Sequence, residues 1–342
     1  MSFGWAIVGI GRHPDLRMAP AIRQADASAR LLAVCSRDAG RAGAFARKHG
    51  AEAGYDDYQA MLRHPGVDAV YVASPNALHA EHTIAAARAG KHVLCDKPMA
   101  LTIADGRAMV DACRASGVKL GACFHLRHHP AHKEMRRLIQ SGRIGEPTMA
   151  EAQWASGTRG LAGPPPRPAL QGWWEDPDLV GGGATMASGV HCIDLLRFLL
   201  GKEVTDVVAL TDGQTEARPL EQRAGITLRF QGGLLAQVSA ARMVPDPRND
   251  AVVYGTNARL SALGTMSMAF GGELEQADGV TVAHTRYLKG DMYQSMVEAF
   301  QEAVGQGREP DASGQDGLRC IEITRAAFES ARTGRAVRLS GA

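Results

Sequence analysis

No charge of one sign dominates this chain. Lys and Arg number 38 against 36 Asp and Glu over 342 residues, a formal charge of +2. The missing basic excess argues against a nucleic-acid partner, and no acidic tail is present. Long hydrophobic runs are also missing: the longest cover about six residues, against the ~20 that span a bilayer, so no membrane is expected. The opening MSFGWAIVGIGR has no charged leader region and runs directly into a strand pattern, so no signal peptide is expected. The six cysteines (Cys35, Cys95, Cys113, Cys123, Cys192, Cys320) show no CxxC and no regular spacing. That argues against a disulfide scaffold and fits reduced thiols in a cytoplasm better. What is present is ordinary for a globular protein: 45% hydrophobic and 22% charged residues. At roughly 150 residues per domain, the length allows about two domains.

The first part of the chain alternates short apolar runs with Ala- and Arg-rich helical stretches. The runs Phe3–Val8, Leu31–Cys35, Ala69–Ala73, His92–Cys95 and Val118–Cys123 are nearly continuous in apolar residues, as parallel strands covered on both faces are. Asp38 is placed to cap a helix through His49 that stops at Gly50. Asn76 is placed to cap Ala77–Ala89 before Gly90. Thr102, with Asp105 three residues on, forms a capping box for a helix ending near Gly117. Repeated βαβ units predict a doubly wound parallel sheet, a Rossmann-type domain over residues 1–125.

From residue 126 to 342 the pattern predicts an α+β domain. His128–Ser141 reads as a helix and Glu146–Ser156 as a strand. Gly157–Trp174 is a loop carrying GPPPRP, and Val190–Leu200 is a second helix. Val204–Leu210, Gly225–Phe230, Leu234–Arg242, Ala251–Gly255 and Arg259–Leu263 then read as an open antiparallel sheet. Tyr293–Gly305 and Gly317–Thr333 are closing helices that can pack back on the first domain. The outer face of the sheet reads apolar at Leu235, Val238 and Ala240, which predicts a homo-oligomer, dimer or tetramer, built by sheet-to-sheet contact.

Four places carry chemistry. Gly9-Ile10-Gly11-Arg12-His13-Pro14 follows the first strand. A dinucleotide loop needs glycine at the tight turn and again where backbone meets pyrophosphate, and Pro14 suits a first helical turn. An ordinary Gly-rich turn is the alternative. At the end of the second strand the acidic residue that binds a ribose 2′-hydroxyl is missing; Ser36, Arg37 and Arg41 suit a 2′-phosphate, which favours NADP over NAD. Solvated surface arginines are the alternative there. Lys97, in Cys95-Asp96-Lys97-Pro98 at the carboxyl end of a strand, can polarise a carbonyl or stabilise an alkoxide. After Gly181-Gly182-Gly183, His191 and Asp194 share a helix face, and the imidazole suits a general acid or base. A fifth group, His125, His128, His129 and His132 beside Cys123, lacks a nearby carboxylate or CxxC, so no metal is expected from it.

These pieces occur in one order: the GxG loop, the strand-end Ser-Arg, Ser74-Pro75-Asn76 with His79, Asp96-Lys97-Pro98, and GGG followed by His191 and Asp194. That order, with the stretch AGKHVLCDKPMALT, resembles the Gfo/Idh/MocA family of NAD(P)-dependent oxidoreductases acting on sugars and polyols. HLRHHPAHKEMRRLIQSGRIGEP and LQGWW resemble its 1,5-anhydro-D-fructose reductase subgroup, which uses NADPH. The resemblance covers essentially the whole chain. It implies that Ile10, Gly11 and Arg12 line the pyrophosphate and that Ser36, Arg37 and Arg41 meet the adenosine ribose or its phosphate. By the same resemblance Ser74, Asn76 and His79 lie along the cofactor, and Asp96 and Lys97 flank the nicotinamide. Trp173, Trp174 and Tyr293 fall at cofactor-contacting positions, with Trp173 and Tyr293 closing over cofactor and substrate. Lys97, Trp173, His191 and Asp194 are the implied substrate contacts, with Lys97 and His191 catalytic. The chain departs from the family in having Ala187 where an Asp commonly precedes the catalytic His by four residues, in the shorter Asp96, and in Trp174 where the subgroup has Arg. With Ala187 in place, His191 must find another partner, and Asp194 is one candidate. A cofactor-binding protein with little catalysis, a regulator or scaffold, is the competing reading.

Overall fold

The computed structural model describes residues 2–157, 169–214, 216 and 219–340. The GPPPRP stretch lies outside them. By its internal contacts the chain divides into two compact units. The first comprises Met1–His125, Gln171–Gly181 and Asp291–Ile321; the second comprises Leu126–Leu170, Gly182–Gly290 and Glu322–Ala342.

The first unit is built on six parallel strands: β1 (Phe3–Val8), β2 (Ala29–Cys35), β3 (Ala53–Tyr55), β4 (Ala69–Val72), β5 (His92–Cys95) and β6 (Leu120–Ala122), in the order β3-β2-β1-β4-β5-β6. Sequence patterning identifies five of them. β3, with the sequence Ala-Gly-Tyr, is too short to show a hydrophobic period. Alternation along β1 sends Trp5 and Ile7 into one apolar cluster and Ala6 and Val8 into another. Both faces of the sheet are therefore covered, which is why its strands are continuously apolar. The order reverses between β1 and β4, and in such sheets ligands bind at the carboxyl ends of the strands at this point.

The helix caps follow local chemistry. Asp38 accepts the Arg41 amide at 2.8 Å and starts the helix Ala39–His49, which ends at the left-handed Gly50. Thr102 accepts the Asp105 amide at 3.0 Å and donates its hydroxyl to the Asp105 carboxylate at 2.7 Å, a reciprocal box at the head of Ile103–Ala115. Asn76 departs from the expectation. It begins a short 3₁₀ turn, Asn76–Leu78, ahead of the α-helix His79–Arg88, and its side chain does not cap.

The second unit holds a nine-stranded sheet of β7 (Pro147–Ala155), β8 (Val204–Thr211), β9 (Arg223–Phe230), β10 (Leu235–Ala241), β11 (Ala251–Gly255), β12 (Arg259–Leu263), β13 (Gly272–Ala277), β14 (Val282–Tyr287) and β15 (Val337–Arg338). Their order is β14-β13-β12-β11-β7-β10-β9-β8-β15. The sheet is mainly antiparallel, with one parallel pair, β7 with β10, in which Leu235 stands opposite Met149. Its strand β14 is almost wholly exposed and carries no apolar period, so patterning misses it.

Register corrects one expectation. Val238 and Ala240 are buried, at 1% and 2% exposure, whereas Leu235 is 45% exposed on the opposite face. Residues three apart on a strand cannot share a face. The outer apolar surface consists instead of Leu235 with Met149, Val208 and Leu210. Among the described residues, Pro177–Leu200 is long and apolar enough by length and composition to cross a membrane, but 83% of its apolar window is buried within the protein and every residue of Val190–Leu200 is buried.

Candidate active site

In the first unit, Gly9 has φ +87° and donates its amide to the Cys35 carbonyl at 3.1 Å. A Cβ there would lie 2.4 Å from the Ala73 carbonyl, so the turn after β1 requires glycine. Gly11 differs: a Cβ at this position meets nothing within 4 Å. Its openness has no internal packing cause, and it suits the close approach of a ligand. Pro14 opens a π-helical turn, Pro14–Met18, continued by the helix Ala19–Gln24. Ser36 and Arg37 follow the end of β2 and Arg41 lies in the first turn of Ala39–His49; both arginines are exposed and Ser36 is partly so. The residues present therefore fit a dinucleotide: a glycine cradle, a helical N-terminus and two cations at the adenosine end.

The loop after β4 is locked rather than open. Asn76, 3% exposed, donates its side-chain amide to the Val180 carbonyl at 3.0 Å. The two ring nitrogens of His79 lie 2.9 Å from the carbonyl oxygens of Ser74 and Pro98. Burial holds this imidazole below its ordinary pKa, so it is neutral and donates to one of them at a time. The His79 ring thus ties the loops after β4 and β5 together, and the Asn76 amide ties the first of them to the end of Pro177–Val180. The Ser74 hydroxyl meets His82 Nδ1 at 2.9 Å. Asp96 Oδ1 accepts the Lys97 amide at 2.7 Å, at the carboxyl end of β5, and the Lys97–Pro98 peptide is cis. Trp173 and Trp174 are half-buried and stack on one another at 4.5 Å in the 3₁₀ turn Ala169–Glu175.

Tyr293 heads the helix Met292–Gly305, whose first amides are capped by Asp291. Its ring stacks on His125 at 4.6 Å and meets the edge of His13 at 5.3 Å. Its hydroxyl is buried with no hydrogen-bond partner, and burial pushes its pKa up.

In the second unit, His191 sits in the first turn of Val190–Leu200, directly after a π-helical turn, Thr185–Gly189. Extra-residue turns of this kind recur at functional sites. The imidazole is 3% exposed and packs on the Trp154 ring at 4.7 Å. Sequence reasoning misses what anchors this turn. Glu221, fully buried, accepts the amides of Gly183 at 2.7 Å and Thr185 at 2.9 Å, as an acid at a helical N-terminus should. The third glycine of GGG follows from this, because a Cβ on Gly183 would lie 1.8 Å from the Glu221 carbonyl oxygen.

Asp194 is a correction. Arg127 donates to both of its carboxylate oxygens, at 2.9 and 2.6 Å, and the pair is 5% and 1% exposed. A substrate contact does not fit that environment; Asp194 is a buried structural acid. Two of the histidines weighed for a metal, His132 and His129, are likewise engaged. His132 meets the Leu126 carbonyl and Thr265 Oγ1 at 2.7 and 2.8 Å, and burial pushes its pKa down to about 3. His129 accepts the Ala131 amide and meets the Gly271 carbonyl, each at 3.1 Å.

Comparison with known proteins decides the family. Residues 3–124 match the Gfo/Idh/MocA model described as an oxidoreductase family with an NAD-binding Rossmann fold, and residues 132–261 match the Gfo/Idh/MocA C-terminal domain. The chain belongs to the Gfo/Idh/MocA oxidoreductase family. Among similar proteins are the 1,5-anhydro-D-fructose reductase of Ensifer adhaerens, 32% identical over 98% of both chains, and the D-xylose 1-dehydrogenase (NADP(+)) 2 of Haloferax volcanii, 31% identical over 99% of this chain and 100% of that one. The solved aldose-aldose oxidoreductase of Caulobacter crescentus, complexed with glycerol, is similar at 27% identity with a TM-score of 0.88, covering 99% of this chain and 100% of that one. The family resemblance read from the motifs is therefore correct, and the protein is an NAD(P)-dependent oxidoreductase acting on CH–OH groups.

Proposed function

We propose that this protein interconverts a ketone and a secondary alcohol on a sugar, anhydrosugar or polyol, with NADP(H) preferred over NAD(H). The observation that carries the reading is the open space above Gly11 on the same strand-end edge as Asp96 and Lys97, together with relatives named for anhydrofructose, xylose and inositol. A bound nicotinamide supplies the hydride acceptor or donor. Gly9, Ile10, Gly11 and Arg12 hold the pyrophosphate, and Ser36, Arg37 and Arg41 hold the 2′-phosphate. The Lys97 ammonium polarises the substrate oxygen, lowering the cost of charge that develops there. In the second unit, the His191 imidazole serves as proton donor in reduction and proton acceptor in oxidation. Trp154, stacked on the ring, fixes its plane, and Glu221 fixes the turn that presents it. Trp173, Trp174 and Tyr293 are assigned to the cofactor, with Trp173 also on the substrate side.

The test is a panel of ketoses, anhydrosugars and polyols assayed with both cofactors. Turnover on a carbohydrate that disappears in Lys97→Ala supports the reading. Cofactor binding by calorimetry without turnover on any of them supports the regulator or scaffold instead.

We further propose a homo-oligomer joined through the outer sheet face bearing Met149, Val208, Leu210 and Leu235, working in a reducing cytoplasm. The exposure of these apolar side chains supports the first statement, and six free thiols support the second. A monomeric mass by light scattering at micromolar concentration rejects the oligomer.

A further inference from the structure

In the first unit, Asp15 lies in the turn Pro14–Met18 that follows the glycine loop, and its amide donates to the Gly11 carbonyl at 3.1 Å. Its carboxylate reaches a different helix, at the far end of Ala39–His49. Lys48 Nζ donates to both oxygens at 2.7 and 2.8 Å, and His49 Nε2 stands 2.7 Å from Oδ1. Burial opposes the Asp15 charge, but the hydrogen bonds from Lys48 and His49 outweigh it and hold the carboxyl below its usual range. Lys48 is more than half exposed, so its contact alone contributes little. His49 is 4% exposed and packs on Phe45 with the ring centroids 4.4 Å apart, so its ring is fixed on its own helix. The two helices also share apolar packing, with Phe45 and Ala46 in one cluster with Met18 and Ile22. Such packing is non-directional: it holds the helices together without fixing their offset, whereas the carboxylate contact fixes it.

We propose that Asp15 is a positioning residue for cofactor choice: through His49 and Lys48 it sets the span between the glycine loop and the arginines Arg37 and Arg41, and with it the advantage of NADPH over NADH. The inference rests on the 2′-phosphate site proposed for those arginines. Gly11 and Arg12 stand just ahead of Asp15 at one end of the span. At the other, Arg41 lies in the first turn of Ala39–His49, about 12 Å from His49 along one rigid helix at 1.5 Å per residue. A shift of that helix against the loop therefore moves the arginines relative to the pyrophosphate. NADPH is held at both ends, and binding at one end favours binding at the other only when the two sites stand at the ligand's own length. NADH uses the loop and gains nothing from the arginines. Adenosine 2′-monophosphate uses the arginine end alone, so it is indifferent to the span.

The experiment is calorimetric binding of NADPH, NADH and adenosine 2′-monophosphate to wild type and variants, so that no step depends on turnover. Asp15→Ala is expected to lower NADPH affinity at least about fivefold more than NADH affinity, with adenosine 2′-monophosphate bound as in wild type. His49→Leu cuts the same contact from the other helix while keeping an apolar side chain in the buried space; it repeats the result and decides where Asp15→Ala fails to fold. Glu52→Gln, which breaks the exposed Arg30–Glu52 pair of the same unit, leaves all three affinities unchanged. A merely structural role for Asp15 would weaken the three ligands alike and leave the ratio of NADPH to NADH affinity where it was. An unchanged ratio in the folded variants, or loss of adenosine 2′-monophosphate binding along with NADPH, overturns the proposal. A wild type that binds NADPH and NADH equally overturns the 2′-phosphate reading together with the proposal, whereas a wild-type preference that both variants keep overturns the proposal alone.

Discussion

Arg127 donates to both carboxylate oxygens of Asp194 in a pair almost sealed from solvent. The acid one turn beyond His191 therefore works for the fold. Removing one partner strands a buried charge, so Arg127→Leu is expected to lower unfolding free energy by about 3–5 kcal/mol. Denaturant melts measure this. In Asp194→Asn the pH profile of the remaining activity should keep its wild-type midpoints while stability falls; a shifted midpoint would mean that Asp194 tunes His191 after all.

His191 itself should be indispensable. His191→Ala is expected to lower turnover by about 10²–10⁴ with cofactor affinity unchanged, the span of lost general acid–base work. Steady-state rates alongside calorimetric NADPH binding separate the two effects. Full turnover in the variant would move the proton transfer to another residue.

The two glycines of the first loop should fail differently. Gly9→Ala places a Cβ 2.4 Å from backbone at φ +87° and is expected to destabilise the protein by at least about 1–3 kcal/mol. Gly11→Val should fold normally, because no atom of the protein occupies that space, yet bind NADPH weakly. Thermal melts and calorimetry on both variants check the contrast.

Cofactor choice rests on Arg37 and Arg41. Each charge-assisted bond to a 2′-phosphate contributes on the order of 1–3 kcal/mol, so the double alanine variant should weaken NADPH by tenfold or more and leave NADH nearly unchanged. Equal losses for the two cofactors would place these side chains elsewhere.

Most of the parallel sheet is legible in the sequence, because strands buried on both faces must be apolar throughout and the intervening caps are local. Asp38, Gly50 and Thr102 act within three residues of themselves or at a helix end, and each does what its type dictates. Short or exposed elements escape: β3 has three residues, and β14 faces solvent along nearly its whole length. Long-range polar partnerships escape for a different reason. Nothing near Asp194 in sequence announces Arg127, and nothing near Gly183 announces Glu221, since both pairs are fixed only when distant segments pack. His79 shows the limit of motif reasoning. Its place in the family order is right, but its ring serves two backbone carbonyls.

The central claim is hydride transfer to or from a carbohydrate, and nicotinamide absorbance follows it directly. Purified protein with NADPH and a panel of sugar-derived ketones, or with NADP and polyols, should show stoichiometric cofactor turnover on at least one compound, and that turnover should disappear in Lys97→Ala. Unchanged absorbance across the whole panel with both NADPH and NADH, in protein shown by calorimetry to bind the cofactor, would contradict the account.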